Sequence, residues 1–227
     1  MLYTEEQVRA NIRNREGRRV FFLGKDDRLT PGARDWLQRE RIQVLPAESA
    51  KIETYRLLGG GFVTEKPEYM THLHGDVLVS KTHPRIAFRG AMDALEAELI
   101  LCQLHVEAVR AELGELLELA RRLIRCDVLE EAVPEGKLCG LTEAEIRTHS
   151  HRPQDFYDQP HFMPAHTDGA AVVWLNRCRC VARRAELAAV AAFRDADGVP
   201  NRVDILRALN RMSSMLYILM IRLKKDD

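Results

Sequence analysis

Residues 80–99 read SKTHPRIAFRGAMDALEAEL, and this stretch decides how the rest of the chain is interpreted. On a helix, spacings of four, four and three place one set of charged residues on a single face. These residues are Arg85, Arg89, Asp93 and Glu96. A second face of the same helix is apolar and carries Ile86, Met92, Leu95 and Leu99. A line of charged residues on a helix that also has an apolar face for burial indicates that another polar group contacts those residues.

The composition is that of a water-soluble globular chain. Its 227 residues are 46% hydrophobic and 30% charged, enough for one substantial domain or one domain with a small appendage. Lysine plus arginine equals aspartate plus glutamate, at 34 each, so no basic excess indicates nucleic acid or an anionic membrane. The start of the chain lacks the apolar core of a signal peptide, and the most apolar segment, 215–221, is too short to span a membrane.

Cysteine usage predicts a reducing, cytoplasmic environment. The five cysteines have no disulfide-like arrangement, and free thiols are expected. Cys178 and Cys180 do not form a convincing zinc half-site, because residues two apart on a helix point about 200° apart.

The first 58 residues predict a small α/β appendage. VFFL at 20–23 and IQVL at 42–45 are typical of short strands, and Thr30 followed by Pro31 predicts a helix start between them. Thr4-Glu-Glu-Gln7 is a capping box for an opening helix. Gly59–Gly61 then favours a hinge over a phosphate loop, since no Lys-Ser/Thr pair follows. This hinge separates the appendage, 1–58, from a helical domain, 62–227.

The remaining sequence is mainly α-helical and predicts a five-helix bundle. After Pro84, no proline occurs up to residue 132, but one helix of that length would span roughly 70 Å, so a break is expected at 105–111. A capping box at Thr142-Glu-Ala-Glu145 opens a short third helix. The fourth and fifth helices are expected at about 169–194 and 202–224. A loop rich in histidine, proline and aromatic residues precedes the fourth helix.

Polar stripes recur on the fourth and fifth predicted helices. Arg179, Arg183 and Glu186 share one face of the fourth, and the two arginines repel unless an anion relieves them. The fifth carries Asn210, Ser214 and Tyr217 on an otherwise apolar helix. Any single stripe can be a solvated face. A polar seam at a subunit interface or a ligand cleft explains all three stripes together.

Three segments in this order resemble the ATP:cob(I)alamin adenosyltransferases of the propanediol-utilisation type. They are KTHPRIAFRGAMDAL (81–95), CRCVARRAE (178–186) and LNRMSSMLY (209–217). KPEYMTHLHGDVLVSKTHPRI, GLTEAEI and the histidine-aromatic loop are similar to the ethanolamine-utilisation branch. The resemblance covers nearly the whole chain. It implies a five-helix bundle, usually a trimer although a dimer stays open, with ATP bound between subunits and the corrinoid above it.

The resemblance also implies roles for individual residues. Lys81 and Arg85 would bind the triphosphate, and Asp93 would pair with Arg179 across the site as the catalytic pair. Arg183 and Glu186 would hold ATP and its Mg²⁺, and Asn210 would hydrogen-bond the nucleotide. Phe162 would contact cobalamin and displace its lower ligand. Arg184 also matches the second arginine of its motif, but it is a weaker candidate for a site residue. For Phe162, an aromatic plug on the bundle end is an equal alternative.

Several departures from the family pattern bear on these roles. The glycine-rich phosphate loop is missing, so the sequence does not decide whether Thr71, His72 or His74 contacts phosphate. The stretch YRLLGGGFVTE lacks the His and Cys ligands of the branch's metal motif, and no transition metal is expected there. Ser214 and Ala94 replace acidic residues of the family. His149, His151, His161 and His166 match no standard metal site, which favours a corrinoid-facing or solvated loop.

The function expected from this resemblance is transfer of the 5′-deoxyadenosyl group of ATP to cob(I)alamin, with triphosphate released. The implied partners are an adenosylcobalamin-dependent lyase, such as ethanolamine ammonia-lyase, and a flavin reductant. The implied location is the cytoplasm, within or attached to a bacterial microcompartment. Two alternatives remain at this point: a non-catalytic corrinoid carrier or microcompartment adaptor with the same bundle, and a histidine-rich metal-binding bundle.

Overall fold

A computed structural model describes residues 1–15, 18–47 and 54–224 of the chain. These residues form two compact units, Met1–His83 and Pro84–Asp227, and the structure is mainly α-helical. Within the described ranges, none of the helices is both long and apolar enough to cross a membrane.

The first unit begins with short strands and two helices. Its elements are β1 (Leu2–Tyr3), α1 (Glu5–Ala10), β2 (Arg13–Arg15), β3 (Arg18–Leu23), β4 (Arg28–Leu29), α2 (Pro31–Arg39) and β5 (Gln43–Pro46). Strand β3 pairs in parallel with β5 and antiparallel with β2. The Thr4 capping box and the Thr30 cap with Pro31 in the first turn are both present. The two predicted strands and the helix between them are therefore confirmed.

A second sheet completes the first unit. It consists of β6 (Tyr55–Leu57), β7 (Phe62–Val63), β8 (Met70–His74) and β9 (Val77–Ser80), in the order β7-β6-β9-β8. The three glycines at 59–61, interpreted above as a hinge, lie in the turn between β6 and β7, where Gly60 and Gly61 have positive φ angles. The compact units divide at His83, and the domain boundary at 58–62 remains a prediction. Residues 48–53 of the expected appendage lie outside the described residues.

The second unit contains the long helices. They are α3 (Pro84–His105), α4 (Arg110–Leu129), α5 (Glu143–His151), α6 (Gln154–Tyr157), α7 (Ala170–Phe193) and α8 (Val203–Leu223). The break expected at 105–111 is confirmed, because a 3₁₀ turn at Glu107–Val109 separates α3 from α4. The capping box of α5 is also present. The predicted fourth and fifth helices correspond to α7 and α8.

One hydrophobic core holds these helices together. Helix α3 packs against α4 and α7, α7 against α8, and α8 against α5. Fully buried side chains include Met92, Leu95 and Leu99 of α3, the apolar stripe expected from the sequence, although Ile86 is only half-buried. Helix α8 buries eleven of its residues, which leaves it a narrow polar strip.

Candidate active site

Helices α7 and α8 bring two predicted stripes together. The guanidinium carbon of Arg179 lies 5.9 Å from the ring centroid of Tyr217, and Asn210 Nδ2 donates to Glu186 Oε1 at 3.1 Å. The two contacts are seven residues apart on each helix, with numbering that runs in opposite directions. The stripes thus form an antiparallel seam about 10 Å long. We call Arg179, Arg183, Glu186, Asn210 and Tyr217 the polar seam.

The apolar pattern of the two helices explains the seam. Helix α7 buries Val172, Leu175, Cys178, Val181, Ala182, Ala185, Ala189 and Phe193. Arg179 and Glu186 are half-buried beside that face, and Arg183 is exposed. Long charged side chains at such an edge keep their stems against apolar neighbours and their charged ends in solvent. The charges of α7 therefore point along its junction with α8.

The amide of Asn210 has a fixed orientation. Its Oδ1 accepts a hydrogen bond from Arg211 Nη1 at 2.8 Å, while its Nδ2 donates to Glu186. A guanidinium only donates and a carboxylate only accepts, so only one amide orientation satisfies both neighbours. Asn210 is exposed, which leaves the outer edge of this amide open to a ligand.

Phe162 lies at the Tyr217 end of the seam. The two rings are stacked with centroids 5.8 Å apart, and the Phe162 backbone N–H donates to the Tyr217 hydroxyl at 3.1 Å. On the far side of this group, Lys224 Nζ lies 4.9 Å from the centroid of the Phe162 ring. The structure thus joins the residue expected at cobalamin to the residues expected at ATP through one tyrosine.

The middle of the seam carries cationic charge. The antiparallel register places Arg183 level with Ser213, next to Ser214 and between the two contacts described above. Among the described residues, Arg183 has neither a hydrogen bond nor an ion pair. Arg179 Nε donates only to the neutral amide of Asn176, at 3.2 Å. Two arginines one turn apart thus have no carboxylate partner within the described chain, which favours an anionic ligand. Arg184 is exposed on a different face of α7.

Asp93 lies apart from the seam. It is exposed, and within the described ranges it has no hydrogen-bond or ion-pair partner. Contacts of Glu98 with Arg177 and of Phe88 with Phe193 show that α3 and α7 are antiparallel. In this register Asp93 is one to two helical turns, about 10 Å, from the level of Arg179. The structure shows no contact between Asp93 and Arg179 within the described chain.

Arg85 takes part in a different structure. Its Nε donates to Asp127 Oδ1 at 2.9 Å and its Nη2 to the Asp127 carbonyl at 2.8 Å, while Arg89 Nε donates to Asp127 Oδ2 at 2.7 Å. Asp127 is fully buried at the end of α4. We call these three residues the closed cluster. Much of the donor capacity of Arg85 is directed at this carboxylate, so a triphosphate role for Arg85 has to compete with Asp127.

A second ion pair supports the closed cluster from α8. Arg202 donates to both oxygens of Asp204 and to the carbonyls of Cys126 and Glu131 at the end of α4. Burial alone would raise the pKa of Asp204, but hydrogen bonds from Arg202 and from backbone N–H groups outweigh it and hold the pKa at about 2. Two arginines thus hold Asp127, and one arginine holds Asp204.

Lys81 belongs to the first unit. Its Nζ lies 3.0 Å from Glu68 Oε1, in an exposed ion pair that lowers the pKa of Glu68. Thr71, His72 and His74 lie on β8 of the same unit. Gly75 follows β8 with a positive φ, and a side chain there would collide with the carbonyl oxygen of Asn14. This fixes the β8–β9 turn that leads to Lys81.

The histidine loop is organised by aromatic contacts. His149 stacks on Phe156 and its Nδ1 lies 2.8 Å from the Tyr157 hydroxyl. The part of the chain that the structure describes contains no group of three or more His, Cys, Asp or Glu side chains placed to hold a metal ion. All five cysteines are free, as expected.

Comparisons with known proteins identify the family of this chain. A sequence model described as cobalamin adenosyltransferase matches residues 62–223. This chain belongs to that family. It is 30% identical to the corrinoid adenosyltransferase EutT of Salmonella typhimurium, over 96% of this chain and 90% of the relative. It is 28% identical to the protein of the same name from Escherichia coli strain K12, with the same coverage. The resemblance inferred from the three sequence segments is thus confirmed.

Two residues of this cobalamin adenosyltransferase family member were not singled out as site residues from the sequence. Tyr217 is in the polar stripe of α8, but its contact with Phe162 depends on tertiary structure, because the two residues are 55 positions apart in the sequence. Asp127 had a usable signal. It continues the apolar stripe of Leu113, Leu116, Leu117, Ala120 and Leu123 at helical spacing. An acid on such a stripe predicts a buried carboxylate with a cationic partner.

Proposed function

We propose that this chain transfers the 5′-deoxyadenosyl group of ATP to cob(I)alamin, and that the polar seam is its nucleotide site. The observation that carries this proposal is the convergence of Arg179, Arg183, Glu186 and Asn210 on one α7–α8 junction, with Phe162 at its end. Membership of the cobalamin adenosyltransferase family supports the reaction.

The reaction explains why unpaired arginines suit the seam. The cobalt of cob(I)alamin attacks C5′ of ATP, the Co–C bond forms, and the C5′–O bond breaks with its electron pair leaving on triphosphate. Catalysis then depends on alignment of nucleophile, carbon and leaving oxygen, and on neutralisation of the departing polyanion. Arg179 and Arg183 supply fixed positive charge for the polyanion, and Asn210 supplies a fixed amide for the nucleotide. No proton is removed, so no general base is required.

Mg²⁺ fits the same site as a companion of the triphosphate. This ion is usually held by one or two carboxylates together with substrate phosphates and water, rather than by a protein cage. Glu186 is the carboxylate of the seam, and only its Oε1 accepts from Asn210. When bound, Mg²⁺ would add positive charge at the leaving group.

Phe162 is proposed to face the corrinoid. An apolar ring that displaces the lower nucleotide ligand would ease reduction of Co(II), because the metal is harder to reduce while that ligand stays bound. The ring of Phe162 is half-buried, between Tyr217 and Lys224. The aromatic-plug alternative predicts that Phe162→Ala lowers stability and leaves the spectrum of bound Co(II)alamin unchanged.

We further propose that α3, α4, α5, α7 and α8 are the five-helix bundle of the family, assembled as a homotrimer. Helices α3 and α7 expose Leu104 and Leu187, at 73% and 69%, and a subunit interface on these helices would bury both side chains. A head-to-tail contact between these faces would place Asp93 of one chain at Arg179 of the next. Sedimentation velocity distinguishes a trimer from a dimer or a monomer.

The similarity to relatives named EutT supports a role in ethanolamine utilisation. The product would then serve an adenosylcobalamin-dependent lyase, with a flavin as reductant, in the cytoplasm or at a microcompartment. Lys81 and Arg85 remain proposed triphosphate contacts.

The decisive experiment mixes the protein with ATP and chemically reduced cobalamin. Adenosylcobalamin should accumulate in the visible spectrum, with one triphosphate released per turnover. Calorimetry with ATP alone and with cobalamin alone separates the alternatives. Cobalamin binding with neither ATP binding nor turnover would overturn the proposal in favour of a non-catalytic carrier.

A further inference from the structure

Tyr217 contacts both halves of the proposed site. One set of contacts is to the corrinoid side, where its ring stacks on Phe162 and its hydroxyl binds the Phe162 backbone. The other is to the nucleotide side, where the Arg179 guanidinium lies over its ring. The side chain is half-buried, so these neighbours restrict its position.

The hydrogen bonds of the Tyr217 hydroxyl are set by His161. His161 Nε2 lies 3.1 Å from the carbonyl oxygen of His151. A carbonyl only accepts, so Nε2 carries the proton. In the neutral ring Nδ1 is then an acceptor, and it lies 3.2 Å from the Tyr217 hydroxyl. The hydroxyl accepts from the N–H of Phe162, and its proton has two acceptors within reach: His161 Nδ1 at 3.2 Å, which is the nearer, and the Phe162 carbonyl oxygen at 3.4 Å.

We propose that Tyr217 is a positioning residue that fixes the backbone and ring of Phe162 for the corrinoid, through a hydroxyl oriented by His161. This inference rests on the proposed role of Phe162. A phenylalanine at position 217 would retain the ring contacts with Phe162, His161 and Arg179. It would leave the N–H of Phe162 and Nδ1 of His161 without their present partner, and Phe162 would sample other positions.

Tyr217→Phe is therefore expected to separate the two substrates. Arg179 contacts the face of the ring, which the variant keeps, so the Kd for ATP should stay within about twofold of the wild type. The corrinoid step should suffer, with kcat reduced about fivefold to tenfold, as for loss of one hydrogen bond. The visible spectrum of bound Co(II)alamin should show a smaller fraction lacking its lower ligand.

Tyr157→Phe is the matched control. Tyr157 also offers its hydroxyl to a histidine of the same loop, at 2.8 Å from His149 Nδ1, and it lies near aromatic rings. No described contact joins it to Phe162 or Arg179. This variant should keep the wild-type spectrum and kcat. His161→Phe, which keeps a ring against Tyr217 but removes its acceptor, should change the spectrum in the same direction as Tyr217→Phe.

The outcomes distinguish this inference from the proposed function. A wild-type spectrum and kcat for Tyr217→Phe, alongside an altered spectrum for Phe162→Ala, would overturn the positioning role and leave the function intact. Equal effects of Tyr217→Phe and Tyr157→Phe would also overturn it, since loosening of the loop would then be the cause. If wild-type protein fails to adenosylate cob(I)alamin, the proposed function itself fails. Thermal unfolding of each variant confirms that the chain is folded.

Discussion

Two regions of the helical unit use arginine in opposite ways. In the closed cluster, Arg85 and Arg89 surround a carboxylate that is 0% exposed, and each arginine side chain is itself only 17% exposed. In the polar seam, Arg179 and Arg183 have no carboxylate partner within the described chain, and Arg183 is exposed. Within each pair, the two arginines are four residues apart on the same helix.

The difference shows that helical spacing of charge does not by itself distinguish a structural cluster from a binding site. What distinguishes them is whether the neighbouring helix supplies the opposite charge. Helix α4 supplies Asp127 to α3, whereas α8 presents the amide of Asn210 and the ring of Tyr217 to α7. A cluster completed within the chain contributes to stability, and an incomplete one can bind an anion.

The largest effect is expected from opening the closed cluster. Asp127→Asn leaves two poorly exposed guanidinium groups without their buried countercharge, and loss of one partner of a buried pair costs about 3–5 kcal/mol. Denaturant unfolding measures this change. Glu96→Gln is the control, because Glu96 also joins α3 to α4 through the more exposed Arg121, and about 1 kcal/mol or less is expected. Equal losses in the two variants would contradict the comparison.

The next largest effect is expected from the seam, and in activity rather than stability. Arg179→Ala should lower kcat/KM about 100-fold, because it removes positive charge aimed at a leaving polyanion. The free energy of unfolding should change by about 0.5 kcal/mol or less. Arg177→Ala, which removes an exposed ion pair with Glu98 on the same helix, should leave activity unchanged. A comparable loss of activity in both variants would place the site elsewhere.

Acid should weaken the closed end of the bundle in a defined pH range. The pKa of Asp204 is lowered from 3.8 to about 2, so its ionised form contributes stability above pH 4, and this is lost as the pH falls towards 2. The contribution is about 1–2 kcal/mol. Unfolding of the wild type and of Asp204→Asn should therefore differ at pH 6 and converge near pH 2. A difference that stays constant across this range would assign it to packing.

The smallest effect is expected from the amide at the outer end of the seam. Arg211→Gln removes the cationic donor that fixes Asn210, so the KM for ATP should rise about threefold to fivefold with kcat unchanged. Steady-state kinetics at saturating cobalamin measure both constants. Arg207→Gln, on the same helix and 3.9 Å from Glu143, should leave both at wild-type values. A fall in kcat for Arg211→Gln would show that Asn210 acts in the transition state.

Local signals in the sequence were sufficient for most helices. The capping boxes at Thr4 and Thr142 and the proline-free run from residue 85 to 132 predicted where α1, α5 and the α3–α4 pair lie. The sheet of β6–β9 was not predicted, because its strands are two to five residues long and pair across sequence gaps. Short strands carry too little periodicity to be recognised.

The site shows a similar division between local and distant information. The spacing of Arg179, Arg183 and Glu186 on α7, and of Asn210 on α8, gave the two stripes of the seam. Their register, and the contact of Tyr217 with Phe162, depend on tertiary packing. Spacing alone grouped Arg85 with Asp93. In the structure Arg85 binds Asp127 of the neighbouring helix, whereas Asp93 has no partner among the described residues.

The antiparallel register of α3 and α7 separates Asp93 from Arg179 within one chain, so one chain alone would not form a complete site. In the proposed assembly each site takes its acid from one copy and its guanidinium from the next, as in any head-to-tail ring. Two defective chains, one with Asp93→Ala and one with Arg179→Ala, would then complement each other. In an equal random mixture about one quarter of the sites would recover both groups. Two chains with the same defect would recover none.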